Sequence, residues 1–262
     1  GPGGLKLSKY SNPIRFATNC CIFRFAFTSK FNAMAGRRVV LFDLGGVVLE
    51  SPIVSIRRFS KEHGVEDLNR FLGASQSWAK LERSEILMEQ FPEAIYEEAK
   101  AKGHKDGISL GVAGWKNLLA VIGGHNMRLT MAVAIRRLRE AGFTTAALTN
   151  NFISPEQSDP LARIEHKEEQ SVLKSLFNYF VESSVIGLRK PDPAFYQEAL
   201  RIIGCKPEDA IFLDDIGKNL KTASDMGIKT IHVKNETPTM HLEALKQLEE
   251  LVGIQLVDMS KL

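Results

Sequence analysis

The chain has 262 residues, 44% hydrophobic and 25% charged, which suits one large domain or a core domain with an insertion. Its formal charge of +3 is concentrated at one end: residues 1–42 hold seven basic and no acidic side chains, leaving 27 basic against 31 acidic elsewhere. That balance argues against nucleic acid as the main partner, since phosphate tracking needs clustered cations, and no apolar run approaches the ~18 residues of a membrane span.

Residues 1–36 read as a basic extension ahead of the fold. An acid-free start containing Ser, Arg and Phe resembles an organelle transit peptide. The weaker alternatives are a tag remnant at Gly1-Pro2-Gly3-Gly4 with Met34 as another start, or a disordered tail, so the expected location is mitochondrial or cytoplasmic. Cys20, Cys21 and Cys205 show no metal or disulfide spacing, which suits a reducing compartment.

Val39-Val40-Leu41-Phe42 reads as a buried strand, followed by Asp43 and the turn-permitting Gly45-Gly46. Residues 52–128 read as helical. Apolar residues recur at helical steps (Ile56 with Phe59; Leu68 with Phe71 and Leu72; Ile95 with Ala99; Val112, Trp115, Leu118, Leu119, Ile122), and Trp78 and Trp115 are expected to pack. A helix is expected over Met127–Ala141. Then come a strand at Phe143–Thr149, a charged and mostly helical stretch at Asp159–Phe180, and a short strand at Val181–Ile186. A helix at Pro193–Ile203, a strand at Ala210–Asp214, a helix at Asn219–Met226, a strand at Ile228–Val233 and a helix at Glu243–Leu251 complete the pattern. Alternating strands and helices imply an α/β fold, with a parallel, Rossmann-like sheet covered on both faces. The helical block between the first two strands is far longer than a crossover needs. It is expected to form a cap (52–128) beside a core made of 37–51 and 129–262.

Four polar signals sit past carboxyl ends of strands, where open α/β sheets place ligands: Asp43; Thr149-Asn150-Asn151; Lys190-Pro191; and Asp214-Asp215, with Asn219 further on. Taken singly, each has a structural reading as a helix cap, a turn or a surface residue. Together they describe one site. Asp43 and Asp215 place two carboxylates within reach of one hard cation such as Mg²⁺, leaving room for water and phosphate. Thr149 and Asn150 offer a hydroxyl and an amide to phosphoryl oxygens, and Lys190 a point charge that also restrains the carboxylates from mutual repulsion.

The segments Leu41-Phe42-Asp43-Leu44-Gly45-Gly46-Val47, Leu148-Thr149-Asn150-Asn151-Phe152, Gly187-Leu188-Arg189-Lys190-Pro191-Asp192-Pro193, Phe212-Leu213-Asp214-Asp215-Ile216-Gly217-Lys218-Asn219-Leu220 and Leu251-Val252-Gly253-Ile254 resemble the haloacid dehalogenase-like (HAD) superfamily over residues 37–256. Within it the chain is similar to the amino-terminal phosphatase domains of soluble epoxide hydrolases and to the HAD domain of the acyl-CoA dehydrogenase family member ten group. The resemblance implies that Asp43 is a nucleophile, forming an aspartyl-phosphate, and a metal ligand. It likewise implies Thr149 and Asn150 at the phosphate, Lys190 as the motif-three base, and Asp215 with the Gly45 carbonyl as further Mg²⁺ ligands. Asp214 and Asn219 would be supporting residues, and a small-molecule phosphate the substrate.

One departure stands out: Gly45 occupies the position where phosphatases of this superfamily carry a second Asp as acid–base. General acid–base catalysis is typically worth ~10²–10⁴-fold. The loss implies slow turnover, a substrate with a good leaving group, or a substitute acid. Glu50, Glu82, Glu85, His63, His104 and His125 are the substitutes available, each better read as a solvated surface residue. The same departure keeps two other readings open: a HAD domain serving as a binding module, and a dehalogenase, which needs no acid for a departing halide.

Overall fold

A computed structural model of the chain describes residues 38–66, 68–122, 126–153, 170–237 and 239–258. The expected extension at 1–36, and the location inferred from it, lie outside the described residues.

Five parallel strands form one sheet in the order β3-β2-β1-β4-β5: β1 (Val39–Phe42), β2 (Thr144–Thr149), β3 (Tyr179–Glu182), β4 (Ala210–Asp214) and β5 (Lys229–His232). All four residues of β1 are buried, because helices cover both sheet faces. Val40 and Phe42 pack with Met131, Ile135 and Leu138 of α6 (Leu129–Glu140) and with Leu245 and Leu248 of the carboxyl-terminal helix. Val39 and Leu41 face Phe195, Tyr196, Ala199 and Ala223 on the opposite side. The alternation is a period of two, invisible in the sequence since both sets are apolar.

Between β1 and β2 the chain builds α1 (Pro52–Glu62), α2 (Leu68–Gly73), α3 (Gln76–Glu82), α4 (Phe91–Ala101) and α5 (Lys105–Ile122), the last broken at Gly111 (φ +60°). These helices bury their own apolar cluster around Trp115, Phe91, Ile95 and Leu118, the stripe expected from helical spacing. Trp78 belongs to its partly buried margin and meets Phe152, from the loop after β2, edge to face at 5.8 Å. The loop carrying Asn150 and Asn151 is thus continuous with the cap.

Several boundaries differ from the sequence reading. The short strand expected at Val181–Ile186 is instead β3 at Tyr179–Glu182, followed by a single helical turn, α7 (Ser183–Ile186). The reason is register: Glu182 pairs with Thr149, the last residue of β2, so a longer strand would have no partner. Ser183 and Ser184 bond Asn151 instead. Of the expected helical stretch at 159–180, residues 159–169 lie outside the described residues, 170–175 are helical, and Tyr179 and Phe180 belong to β3. Helix α6 starts at Leu129 rather than Met127, because Met127 bridges Leu49 and the Arg128 N–H donates to the Val48 carbonyl. The remaining elements are α8 (Pro193–Ile203), α9 (Gly217–Asp225) and α10 (His241–Val252), with Gly204 and Gly253 closing α8 and α10 in the left-handed conformation.

Candidate active site

Strand β1 has β2 on one side and β4 on the other, so chain direction across the sheet reverses there and a crevice opens at the carboxyl ends. Phe42 pairs with Leu213, and the Asp43 N–H donates to the Leu213 carbonyl at 2.8 Å. This register brings Asp43 level with Asp214. One carboxylate oxygen from each of Asp43, Asp214 and Asp215 lies within 4.8 Å of the others. Residues 43 and 215 therefore converge.

Their partners differ. Asp214, fully buried, accepts from Lys190 Nζ at 2.8 Å, from Asn219 Nδ2 at 3.0 and 3.1 Å, and from the Ile216 N–H at 2.7 Å. It is saturated from within the chain. Asp43 Oδ1 accepts from the Leu44 N–H at 2.7 Å and meets Lys190 Nζ at 2.8 Å. Asp215 Oδ2 accepts from Asn235 Nδ2 at 2.9 Å and, weakly, from Ser51 Oγ at 3.5 Å. Asp215 Oδ1 is buried and receives no hydrogen bond from another residue.

Lys190 is 1% exposed, seated between Asp43 and Asp214 with Nζ over the Phe212 ring. Burial works against its charge, but Asp214 and Asp43 outweigh burial and raise its pKa, so it stays protonated. One lysine does not balance three carboxylates. Burial, with the neighbouring aspartates, pushes the Asp43 and Asp215 carboxyls well above the usual range despite Lys190. With all three ionised the cluster would be short of two positive charges, the deficit a divalent cation would fill. The hard oxygen donors and the orphaned Asp215 oxygen suit such an ion.

Glycine is required at position 46, where φ is +85° and a Cβ would fall 2.1 Å from Asp215 Oδ2. At Gly45 a Cβ would meet Pro52 Cδ at 3.1 Å, so the start of α1 closes over that position.

Thr149 is buried beside the cluster, its Oγ1 3.5 Å from the Asn150 carbonyl. The Asn150 side chain has a structural role that the sequence did not show. Its Oδ1 accepts from the Lys190 N–H and its Nδ2 donates to the Lys190 carbonyl, both at 2.9 Å, so its amide fixes the lysine backbone and keeps one further Nδ2 hydrogen. The Lys190–Pro191 peptide is cis. Asn219 is buried, and its carbonyl accepts from Tyr196 Oη at 2.9 Å.

Among the substitute acids, Glu50, Glu85 and His63 are exposed, as expected. His104 is half-buried against Phe71 and accepts from the Gly107 N–H, and His125 lies outside the described residues. Glu82 corrects the sequence reading: it is buried and paired with Arg189, next to Lys190. Burial raises its pKa, while the Arg189 guanidinium pulls the other way. Three polar residues of the site escaped sequence reasoning. Asn235 lies just past β5, and the carboxyl-end rule that found the other signals applies to it equally. Ser51 and Arg128 carry no comparable signal.

A parallel α/β sheet with an acidic cluster at its switch point and a helical cap over it defines a Rossmann-like hydrolase. The chain belongs to the haloacid dehalogenase-like hydrolase family, whose model matches residues 37–227. It is 34% identical over 227 residues to acyl-CoA dehydrogenase family member 10 of Mus musculus, covering 84% of this chain and 19% of that protein. It is 30% identical over 227 residues to bifunctional epoxide hydrolase 2 of Rattus norvegicus, covering 83% and 39% respectively. The chain thus spans less than half the length of either relative. A solved HAD-like hydrolase from Porphyromonas gingivalis superposes with a TM-score of 0.55 at 25% identity, covering 82% of this chain and 98% of that one. Among the described residues no helix is long and apolar enough to cross a membrane.

Proposed function

We propose that the chain is a Mg²⁺-dependent phosphatase acting on a small organic or lipid-like phosphate through an aspartyl-phosphate on Asp43. The observation that carries this reading is the convergence of Asp43, Asp214 and Asp215 around a single buried lysine. Asp43, the Gly45 carbonyl and Asp215 would hold Mg²⁺, which supplies charge neutralisation for the phosphoryl oxygens.

The chain's own residues do the rest. Lys190 and the Leu44 N–H anchor Asp43 Oδ1, which leaves Oδ2 to attack phosphorus. The new O–P bond forms as the bond to the leaving group breaks, and the electron pair departs with that group. Water then attacks phosphorus, inorganic phosphate leaves, and the Asp43 carboxylate is restored. Lys190 and the Thr149 hydroxyl flank the phosphoryl group and stabilise its oxygens. Asp214 and Asn219 hold Lys190 in place.

Gly45 offers no side chain to protonate a leaving alcohol, and Glu82 is tied to Arg189. Substrates whose leaving groups depart unprotonated, such as acyl or anomeric phosphates, are therefore expected to turn over fastest. The test is release of inorganic phosphate from a panel of acyl phosphates, sugar 1-phosphates and hydroxy-fatty-acid phosphates, with Mg²⁺ and with EDTA. Mg²⁺-dependent turnover that disappears in Asp43→Asn supports the reading. Turnover unchanged in that variant overturns the mechanism, and no turnover on any substrate favours a binding module.

A further inference from the structure

The cap returns to the core at Arg128, and this half-buried residue does more than begin α6. Its backbone N–H donates to the Val48 carbonyl at 2.9 Å. Its Nη1 donates to the Gly46 carbonyl at 2.8 Å and the Val47 carbonyl at 3.3 Å. Its Nη2 donates to Asn235 Oδ1 at 2.8 Å, and Asn235 Nδ2 in turn donates to Asp215 Oδ2 at 2.9 Å. One guanidinium thereby ties the turn after β1 to the loop after β5.

The consequence falls on Asp215. Its Oδ2 is fixed by Asn235, and it presses on Gly46 so closely that no Cβ fits between them. Its Oδ1 is left buried and without a hydrogen bond from another residue. The Asn235 amide is oriented by the same contact, because Arg128 has only donors and so must face the amide oxygen, turning Nδ2 towards the carboxylate. A lysine in place of Arg128 could supply charge but not the planar fork that spans a carbonyl and an amide oxygen at once.

We propose that Arg128 is a positioning residue which, through Asn235, orients Asp215 so that its free oxygen is presented to a divalent cation, coupling the cap's return segment to the metal site. This rests on the metal reading proposed above. Residues that orient a ligand through a hydrogen bond typically change metal affinity by ~10–100-fold when removed.

The experiment is Mn²⁺ binding to the full chain, followed by water-proton relaxation, for the wild type, Arg128→Met, Asn235→Ala and the double variant. Glu98→Ala, which removes contacts to Ser75, Gln76, Ser77 and Lys102 of the cap alone, serves as a destabilised control. Each single variant is expected to weaken Mn²⁺ by about 10-fold or more, and the double variant no further than the weaker single, because both interrupt one chain of contacts. The control is expected to lose thermal stability without losing affinity. Where Arg128→Met fails to fold, Arg128→Lys carries the test, with an expected loss of several-fold. Unchanged affinity in any of these site variants, or losses that multiply in the double variant, overturns the relay. A wild type that binds no Mn²⁺ overturns the metal reading itself and the relay with it.

Discussion

Glu98 of the cap and the aspartates at the ends of β1 and β4 share one functional group and are treated in opposite ways. Glu98 projects from α4 across the start of α3, where it accepts from the Gln76 and Ser77 N–H groups, Ser75 Oγ and Lys102 Nζ at 2.6–2.9 Å. Burial alone would raise its pKa, but those donors outweigh burial and hold it at about 2. Asp43 and Asp215 are more deeply buried, have fewer donors and sit against one another, and both are pushed up. The chain completes the carboxylates of Glu98 and Asp214 and leaves those of Asp43 and Asp215, at the carboxyl ends of the central strands, incomplete. The Glu98 carboxylate accepts from orphan N–H groups at the start of α3, so that site is structural. The charge deficit at Asp43 and Asp215 has no such partner among the described residues, and it is what the proposed cation would fill.

The largest expected effect is on chemistry. Asp43→Asn should lower phosphate release by at least ~10³-fold while the fold persists, measured as kcat on the best substrate of the panel. Removing one of the crowded charges should also raise the melting temperature of the metal-free protein, whereas Glu98→Ala should lower it.

Next comes Gly46→Ala, which drives a Cβ into Asp215 Oδ2 and forces a side chain into a positive φ. It should weaken divalent-ion binding by about 100-fold, at the upper end of losses from a displaced ligand, read by calorimetric titration. Unchanged affinity would mean that Asp215 is not held where its contacts indicate.

On the structural side, Glu98→Ala leaves three neutral donors and Lys102 without an acceptor. It should cost about 1–3 kcal/mol in denaturant unfolding, with Mg²⁺ affinity unaltered. A loss of affinity comparable to that in Gly46→Ala would erase the distinction between the two sites.

The smallest effect is the pH dependence, and its sign differs between the sites. Raised pKa values at Asp43 and Asp215 mean that the folded metal-free chain binds more protons than the unfolded one. Their contribution to stability therefore falls as pH rises from the ordinary carboxylate range through the folded values. Glu98 acts inversely: its contribution is present above the unfolded value of 4.5 and is lost as pH falls towards about 2. Saturating Mg²⁺ should accordingly raise the melting temperature more at pH 8 than at pH 5, following the ionisation of its ligands. An increment independent of pH would contradict ligation by those aspartates.

Much of this was legible from local signals. Four apolar residues ending at Asp43, and Ile211-Phe212-Leu213 ending at Asp214-Asp215, announce buried strands whose ends carry the acids. The parallel order then forces those ends together. What escaped was what depends on neighbours distant in sequence. The family resemblance separates Asp214 from Asp215, but the contacts behind that difference, Lys190 and Asn219 bonding Asp214 alone, appear only in the structure. Asn150 looks like a free amide until the Lys190 backbone is placed against it. Glu82 looks like one more helical acid, and only docking of α3 against Arg189 buries it. Arg128 has no local signature at all, because its meaning comes from carbonyls at Gly46 and Val47 and an amide at Asn235.

The central claim is that Asp43 takes the phosphoryl group. Incubation of the full chain with Mg²⁺ and acetyl phosphate, rapid acid quench and peptide mass spectrometry test it most directly. A phosphoryl adduct on the Asp43 peptide, absent without Mg²⁺ and absent in Asp43→Asn, is the predicted result. An adduct at another residue, or phosphate release that proceeds with no adduct at any time, would contradict it.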